Sequence, residues 1–223
     1  MKKVACLHGH HSNVALLDDA FSQWKVELAH YVDPGLLLQS ANSQLPTRAE
    51  AEAKLDSQLS WMQASTPDAI VITCTQYAAT LTSEHEFERD IPIFTIDGPF
   101  LEEAARRSGR QTILFTNPAT VKPTMDRLWQ RAAMHKCTPQ ISIHLIDGAF
   151  SLIMENKQQA YQEILWETML TLSHADSILS VAQLSMAPAA RQFSQEKGIF
   201  ISDPLQSLTD KMVQTLPLSP ASF

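Results

Sequence analysis

The chain has 223 residues, of which 44% are hydrophobic and 18% charged, and its net charge is −7. This composition belongs to a folded protein with room for one large domain or two small lobes, and it excludes a disordered chain. The acidic balance argues against nucleic acid and membrane surfaces as partners, whereas a small acid needs only a local pocket of donors.

The opening MKKVACLHGHH carries two lysines, but only Val4, Ala5, Cys6 and Leu7 stand between them and His8. That run is too short for the apolar core of a signal peptide. No apolar run approaches the roughly 20 residues of a membrane span. Cys6, Cys74 and Cys137 make an odd count. They are a poor disulfide framework and read as reduced thiols of a cytoplasmic protein.

VACLH (4–8) is the first of a series of β-rich runs. It is followed by KVELAHYV (25–32), AIVITC (69–74), IPIFTI (91–96), TILFT (112–116), ISIHLI (141–146), SILSVA (177–182) and IFIS (199–202). Helical segments lie between them, such as 49–63 and 156–172. In the second, Tyr161, Ile164, Leu165, Met169 and Leu172 recur at helical spacing. This alternation predicts an α/β protein with parallel sheets flanked by helices. Several runs end in a polar or small residue and a proline: Asp33-Pro34, Gly98-Pro99, Asn117-Pro118 and Asp203-Pro204. Proline suits the first helical position, so many strands should lead straight into a helix amino terminus. Those strand-to-helix junctions are where α/β folds bind ligands, and free helix N–H groups there suit anions. Six glycines leave little room for a phosphate-cradling loop.

The chain also repeats itself. DAIVITCTQYAAT (68–80) aligns with DSILSVAQLSMAP (176–188), IFTID (93–97) with IFISD (199–203), and VACLHG (4–9) with TILFTN (112–117). Chance similarity between buried strands is the competing explanation, but ordered matches at nearly one offset favour two similar α/β halves. The expected architecture is two pseudo-symmetric Rossmann-like lobes with a cleft between them. One lobe is 1–97 plus 201–223, and the other is 98–200. Cys74 then stands on one wall of the cleft, opposite Ala182.

Two such lobes with a cysteine at a strand end resemble the aspartate/glutamate/hydantoin racemase superfamily. The motif of its first half, a strand ending in Cys before Asn or Ser and Thr, reads Thr73-Cys74-Thr75-Gln76 here. The Thr-rich turn of its second half is similar to TNPATV (116–121), with Thr116 and Thr120 in the expected places. The chain departs from the family where a second cysteine should stand: SVAQLSMA (180–187) has Ala182, followed by Gln183. The resemblance implies a cytoplasmic enzyme that uses no cofactor and acts on a small carboxylate or amino-acid-like molecule. A homodimer is among the open oligomeric states.

Racemisation needs two opposed proton-transfer groups, and alanine cannot be one of them. Cys6 lies inside a strand, and Cys137 precedes one. Cys74 is therefore left to do one-sided chemistry. It can protonate an enolate-like intermediate, as in a decarboxylase, or attack a carbonyl as a hydrolase with His8 as its base. Thr75, Gln76, Thr116, Asn117, Thr120, Gln183 and Ser185 are candidate carboxylate or oxyanion donors, and Ser12 and Asn13 cap the first helix and reach the same ligand. Each has a plainer reading as a helix cap or turn residue, and Cys74 has one as a small buried hydrophobe. A binding or regulatory protein that kept the site and lost turnover is the competing class. In LHGHHSN (7–13), His8, His10 and His11 have no thiol or carboxylate at a recognisable ligand spacing, so no metal is expected. Glu102, Glu103, Arg106 and Arg107 read as a solvated helix face.

Overall fold

A computed structural model of the protein describes residues 1–41, 46–81, 90–174 and 176–221. It is an α/β fold with two wholly parallel sheets. The chain divides into two compact units, Met1–Ile96 with Leu208–Phe223, and Asp97–Ser207.

The first unit carries β1 (Lys2–His8), β2 (Val26–Val32), β3 (Ala69–Ile72) and β4 (Ile93–Thr95) in the order β2-β1-β3-β4. Its helices are α1 (Ser12–Phe21), α2 (Gly35–Ala41), α3 (Arg48–Gln63) and α4 (Thr75–Thr80). Every residue of β3 is buried, as expected of a strand inside a parallel sheet covered on both faces. Successive side chains of a strand point to opposite faces. Ala5 and Leu7 therefore join Leu36, Leu55, Leu59, Met62 and Tyr77 in one core, while Cys6 and His8 turn to the face bearing α1. α3 begins in a capping box between Thr47 and Glu50, which satisfies two of the N–H groups a helix start leaves free. The segment after Leu208 is tied to the start of β2. Lys25 N donates to Ser219 O at 2.8 Å, Ala221 N donates to Gln23 O at 2.8 Å, and Trp24 forms an antiparallel bridge with Pro220.

The second unit repeats the arrangement. β5 (Arg110–Phe115), β6 (Gln140–Leu145) and β7 (Ile178–Val181) run in the order β6-β5-β7, as β2-β1-β3 do in the first. The helices are α5 (Gly98–Arg106), α6 (Pro118–Met134), α7 (Ala149–Met154), α8 (Gln158–Leu172) and α9 (Ala187–Lys197). The chain returns to the first unit within α10 (Pro204–Thr215). Alternation along β5 gives each face its own core. Leu114 packs with Tyr161, Leu165, Met169, Val181 and Phe193, while Ile113 and Phe115 pack with Phe100, Leu101, Met125 and Leu128.

Three details differ from the sequence expectation. IFIS (199–202) forms no strand, only a parallel bridge from Ser202 to Ser180, and Phe200 is 69% exposed. α8 begins at Gln158 because Asn156 adopts a left-handed φ of 57°, which helical residues avoid. The charged face of α5 is only partly solvated. Arg106 pairs with Glu102 at 2.7 Å, but Arg107 lies 3.4 Å from Ser180 Oγ and 3.5 Å from Ser202 Oγ, and Glu103 accepts from Ser207 Oγ. Asp97, at the head of α5, is buried with Arg127 of α6.

Candidate functional site

In the first unit the candidate residues gather at the carboxyl ends of β1 and β3. Thr73 extends the sheet by one more bond, its N–H donating to Leu7 O at 2.9 Å. Cys74 then leaves the sheet and stands at the N-cap of α4 in an extended conformation, with its side chain making no cap bond. The thiol is half-buried. A Cβ placed on Gly9 would lie 2.7 Å from Cys74 Sγ and 3.1 Å from its Cβ. The residue after β1 is therefore glycine because the Cys74 side chain rests on its backbone.

Thr75 and Gln76 form the first turn of α4. The Gln76 side-chain oxygen is buried and has no hydrogen-bond partner among the described residues. Asn13 reaches in from α1, its Nδ2 donating to Thr73 Oγ1 at 3.1 Å. Ser12 points elsewhere: its hydroxyl pairs with the half-buried His10 ring at 2.8 Å.

His8 is fully buried, and both of its ring nitrogens are engaged. Nδ1 lies 2.9 Å from Thr73 Oγ1, and Nε2 lies 2.8 Å from His30 Nδ1. His30 Nε2 in turn lies 3.0 Å from Asp18 Oδ1. Burial, with a further push from His30, takes the His8 pKa down to about 4, so the ring is neutral at physiological pH. Cys6 is the register partner of His30 and points to the same face. Burial, and then the Asp18 charge, raise its thiol to about 12. His30, Asp18 and Thr73 did not figure among the candidates read from sequence. The one available signal was the register of β1 on β2, which brings Cys6 opposite His30 and which sequence spacing alone does not reveal.

In the second unit Gln183 follows β7, and its Oε1 accepts three bonds. These come from Thr116 N at 2.7 Å, Thr116 Oγ1 at 2.7 Å and Asn117 N at 3.2 Å. Only the amide NH2 of Gln183 is left for a ligand. Asn117 caps α6 by accepting from Ala119 N, and Thr120 Oγ1 bonds back to Asn117 O at 2.8 Å. Ser185 meets the buried Tyr161 hydroxyl at 2.9 Å. Burial raises the Tyr161 pKa. Tyr161 was legible only as part of a helical apolar stripe, because periodicity does not report where a hydroxyl points. Ala182 is buried in the cluster of Phe100, Phe115 and Leu128.

Gln183 can be tested directly. Gln183→Ala leaves two backbone N–H groups at a helix start without their acceptor, and is expected to cost about 1–3 kcal/mol in urea unfolding. Gln183→Glu keeps an oxygen there, and a carboxylate is favoured at a helix amino terminus, so it should retain near-native stability.

No protein-family model matches the sequence, and no curated protein does. Solved structures do match, along nearly the whole chain. Picrophilus torridus aspartate racemase is 12% identical with a TM-score of 0.69, covering 99% of this chain and 96% of its own. Allantoin racemase from Klebsiella pneumoniae is 16% identical with a TM-score of 0.69, covering 99% and 91%. Glutamate racemase isoform RacE1 from Bacillus anthracis is 13% identical with a TM-score of 0.65, covering 97% and 82%. The protein shares the fold of these aspartate, glutamate and allantoin racemase structures. No helix among the described residues is long and apolar enough to cross a membrane.

Proposed function

We propose that the protein is an enzyme of the racemase superfamily acting on a small carboxylate or amino-acid-like substrate by one-sided, isomerase- or decarboxylase-type chemistry, with Cys74 as its proton-transfer group and no cofactor in the chemical step. The observation that carries this reading is the placement of Cys74. The half-buried Cys74 stands at the carboxyl end of a parallel strand, its sulfur held against Gly9. The fold similarity to racemases supports it. As thiolate, Cys74 takes the proton from the substrate α-carbon and becomes a thiol; in the reverse step it returns a proton to the same face.

The unpartnered Gln76 oxygen suits an N–H of the substrate, while Thr75 and the N–H groups of the first turn of α4 suit its carboxylate. In the second unit Gln183 keeps only its NH2 as a donor, because its oxygen holds the N–H groups of Thr116 and Asn117. Asn13 and His8 act on the site through Thr73, which both of them touch. Ser12 and Thr120 have partners of their own and are assigned to local structure. Ser185 enters through its bond to Tyr161. Alanine at position 182 removes the second thiol, so chemistry from one face is favoured over inversion.

The test is solvent exchange. The protein is held in deuterium oxide with an α-amino dicarboxylate, a 2-substituted malonate and a hydantoin-type ureide, and each is followed by proton NMR. Deuterium entering the α-carbon of at least one, with little equalisation of D and L forms, is the expected result. No exchange on any of them, together with a Cys74 that alkylates like free cysteine and gains no protection from them, overturns the proposal. Protection without exchange identifies a binding protein instead. A covalent acyl adduct on Cys74 identifies a hydrolase.

A further inference from the structure

The face of the first sheet that carries α1 holds a cluster that the chemistry at Cys74 does not need. Cys6, His8 and His30 each present one ligand atom, and these three atoms lie within 4.8 Å of one another. Alternation puts Cys6 and His8 on one face of β1, and register sets His30 beside Cys6 on β2.

The hydrogen bonds around the cluster fix where the protons are. His30 Nε2 donates to Asp18 Oδ1 at 3.0 Å, which leaves Nδ1 as the ring nitrogen facing His8. Thr73 Oγ1 has three contacts: Asn13 Nδ2 at 3.1 Å, Leu7 O at 3.3 Å and His8 Nδ1 at 2.9 Å. A hydroxyl has one proton. Asn13 Nδ2 donates to it, and Leu7 O can only accept from it. All three contacts are met together only when His8 Nδ1 carries a proton and donates to Thr73. That leaves His8 Nε2 as the ring nitrogen that faces His30. Two ring nitrogens thus face each other 2.8 Å apart, beside a thiol. The space between them suits one cation, a proton or a metal ion.

We propose that Cys6 Sγ, His8 Nε2 and His30 Nδ1 bind one zinc-class divalent ion. The donor set, one thiolate and two imidazoles, suits zinc and its mimic cobalt and disfavours magnesium and calcium, which take oxygen. The opposite nitrogen of each histidine is held by an oxygen, Asp18 for His30 and Thr73 for His8, which is how metal-binding histidines are commonly oriented. Zinc–nitrogen distances of about 2.0–2.1 Å ask the two rings to part by about 0.5 Å. Binding releases the Cys6 proton to solvent, so affinity rises with pH. The ion pins β1 to β2 and, through His8, fixes Thr73, the residue before Cys74. It takes no part in the proton transfer proposed above, and the site stands whether or not that reading of Cys74 holds.

The experiment uses chelator-washed protein titrated with Co2+ and Zn2+. One equivalent of Co2+ should bind, with a thiolate-to-cobalt charge-transfer band in the near ultraviolet, and Zn2+ should displace it and raise the melting temperature. The band should vanish in Cys6→Ser and persist in Cys74→Ser and in the double variant His10→Ala/His11→Ala. Asp18→Asn, a change at an exposed carboxylate, should weaken binding about 10–100-fold without unfolding the chain. It serves as the second test should Cys6→Ser not fold. Absence of stoichiometric binding, loss of the band in Cys74→Ser or in the surface-histidine variant, or unchanged affinity in Asp18→Asn overturns the proposal.

Discussion

Cys74→Ser is expected to lower solvent-deuterium exchange by about 10²–10⁴-fold, the usual contribution of a positioned proton-transfer group. Serine keeps the size of the side chain and its place at the N-cap of α4, so the fold should persist. What is lost is the thiol to which the proton transfer is assigned. Gly9→Ala probes the same thiol without changing it. Its methyl group would arrive 2.7 Å from Cys74 Sγ, roughly an ångström inside ordinary contact, so the sulfur must move. A displacement of that size at a reacting group costs on the order of 10²-fold. Exchange and the alkylation rate of Cys74 should therefore change together in Gly9→Ala, while circular dichroism stays native. A Gly9→Ala protein with wild-type exchange would separate the thiol from the chemistry.

The second large effect concerns stability. Arg127→Met is expected to lower the unfolding free energy by about 3–5 kcal/mol, because it strands the Asp97 carboxylate. The Asp97 side chain is 2% exposed and that of Arg127 12%, and Oδ1 of Asp97 has no hydrogen-bond partner among the described residues. Removing the guanidinium takes away the charge that compensates the other oxygen. The double variant Asp97→Asn/Arg127→Met should recover most of the loss, since a buried pair replaced on both sides is often close to neutral. Urea unfolding of the wild type, the single variant and the double variant measures both numbers. Equal losses in the single and double variants would show that Arg127 acts through packing rather than charge.

The strands were legible in the sequence wherever a continuous apolar run met a turn signal. AIVITC (69–74) and TILFT (112–116) read directly as strands, and the structure has strands there over Ala69–Ile72 and Arg110–Phe115. IFIS reads just as apolar but lacks partners along its length, and sheet pairing is not a local property. Proline after a polar residue marked helix starts correctly at Pro118 and Pro204.

The site was legible as a set of strand ends, not as a set of contacts. Cys74 and Asn13 could be placed near each other from topology, and Asn13 does reach Thr73. Gln183 looked like a donor to a ligand, yet its oxygen serves Thr116 and Asn117, since a free helix start competes for any nearby acceptor. The cluster of Cys6, His8 and His30 was out of reach because its members are brought together by β1–β2 register across 24 residues of sequence, 30 minus 6, and not by a spacing within one motif. The neighbouring histidines His10 and His11, which did catch the eye, stack on each other at 4.3 Å and lie outside that cluster.

The first unit is assembled from two separate stretches, 1–96 and 208–223, whereas the second is one unbroken stretch, 97–207. On a ribosome the stretch 97–207 has all its partners as soon as it emerges, but the earlier half must wait for residues 219–221 to dock beside residues 23–25. Residues 1–96, translated before 97–207, are thus completed after them, and Cys74 belongs to that earlier stretch.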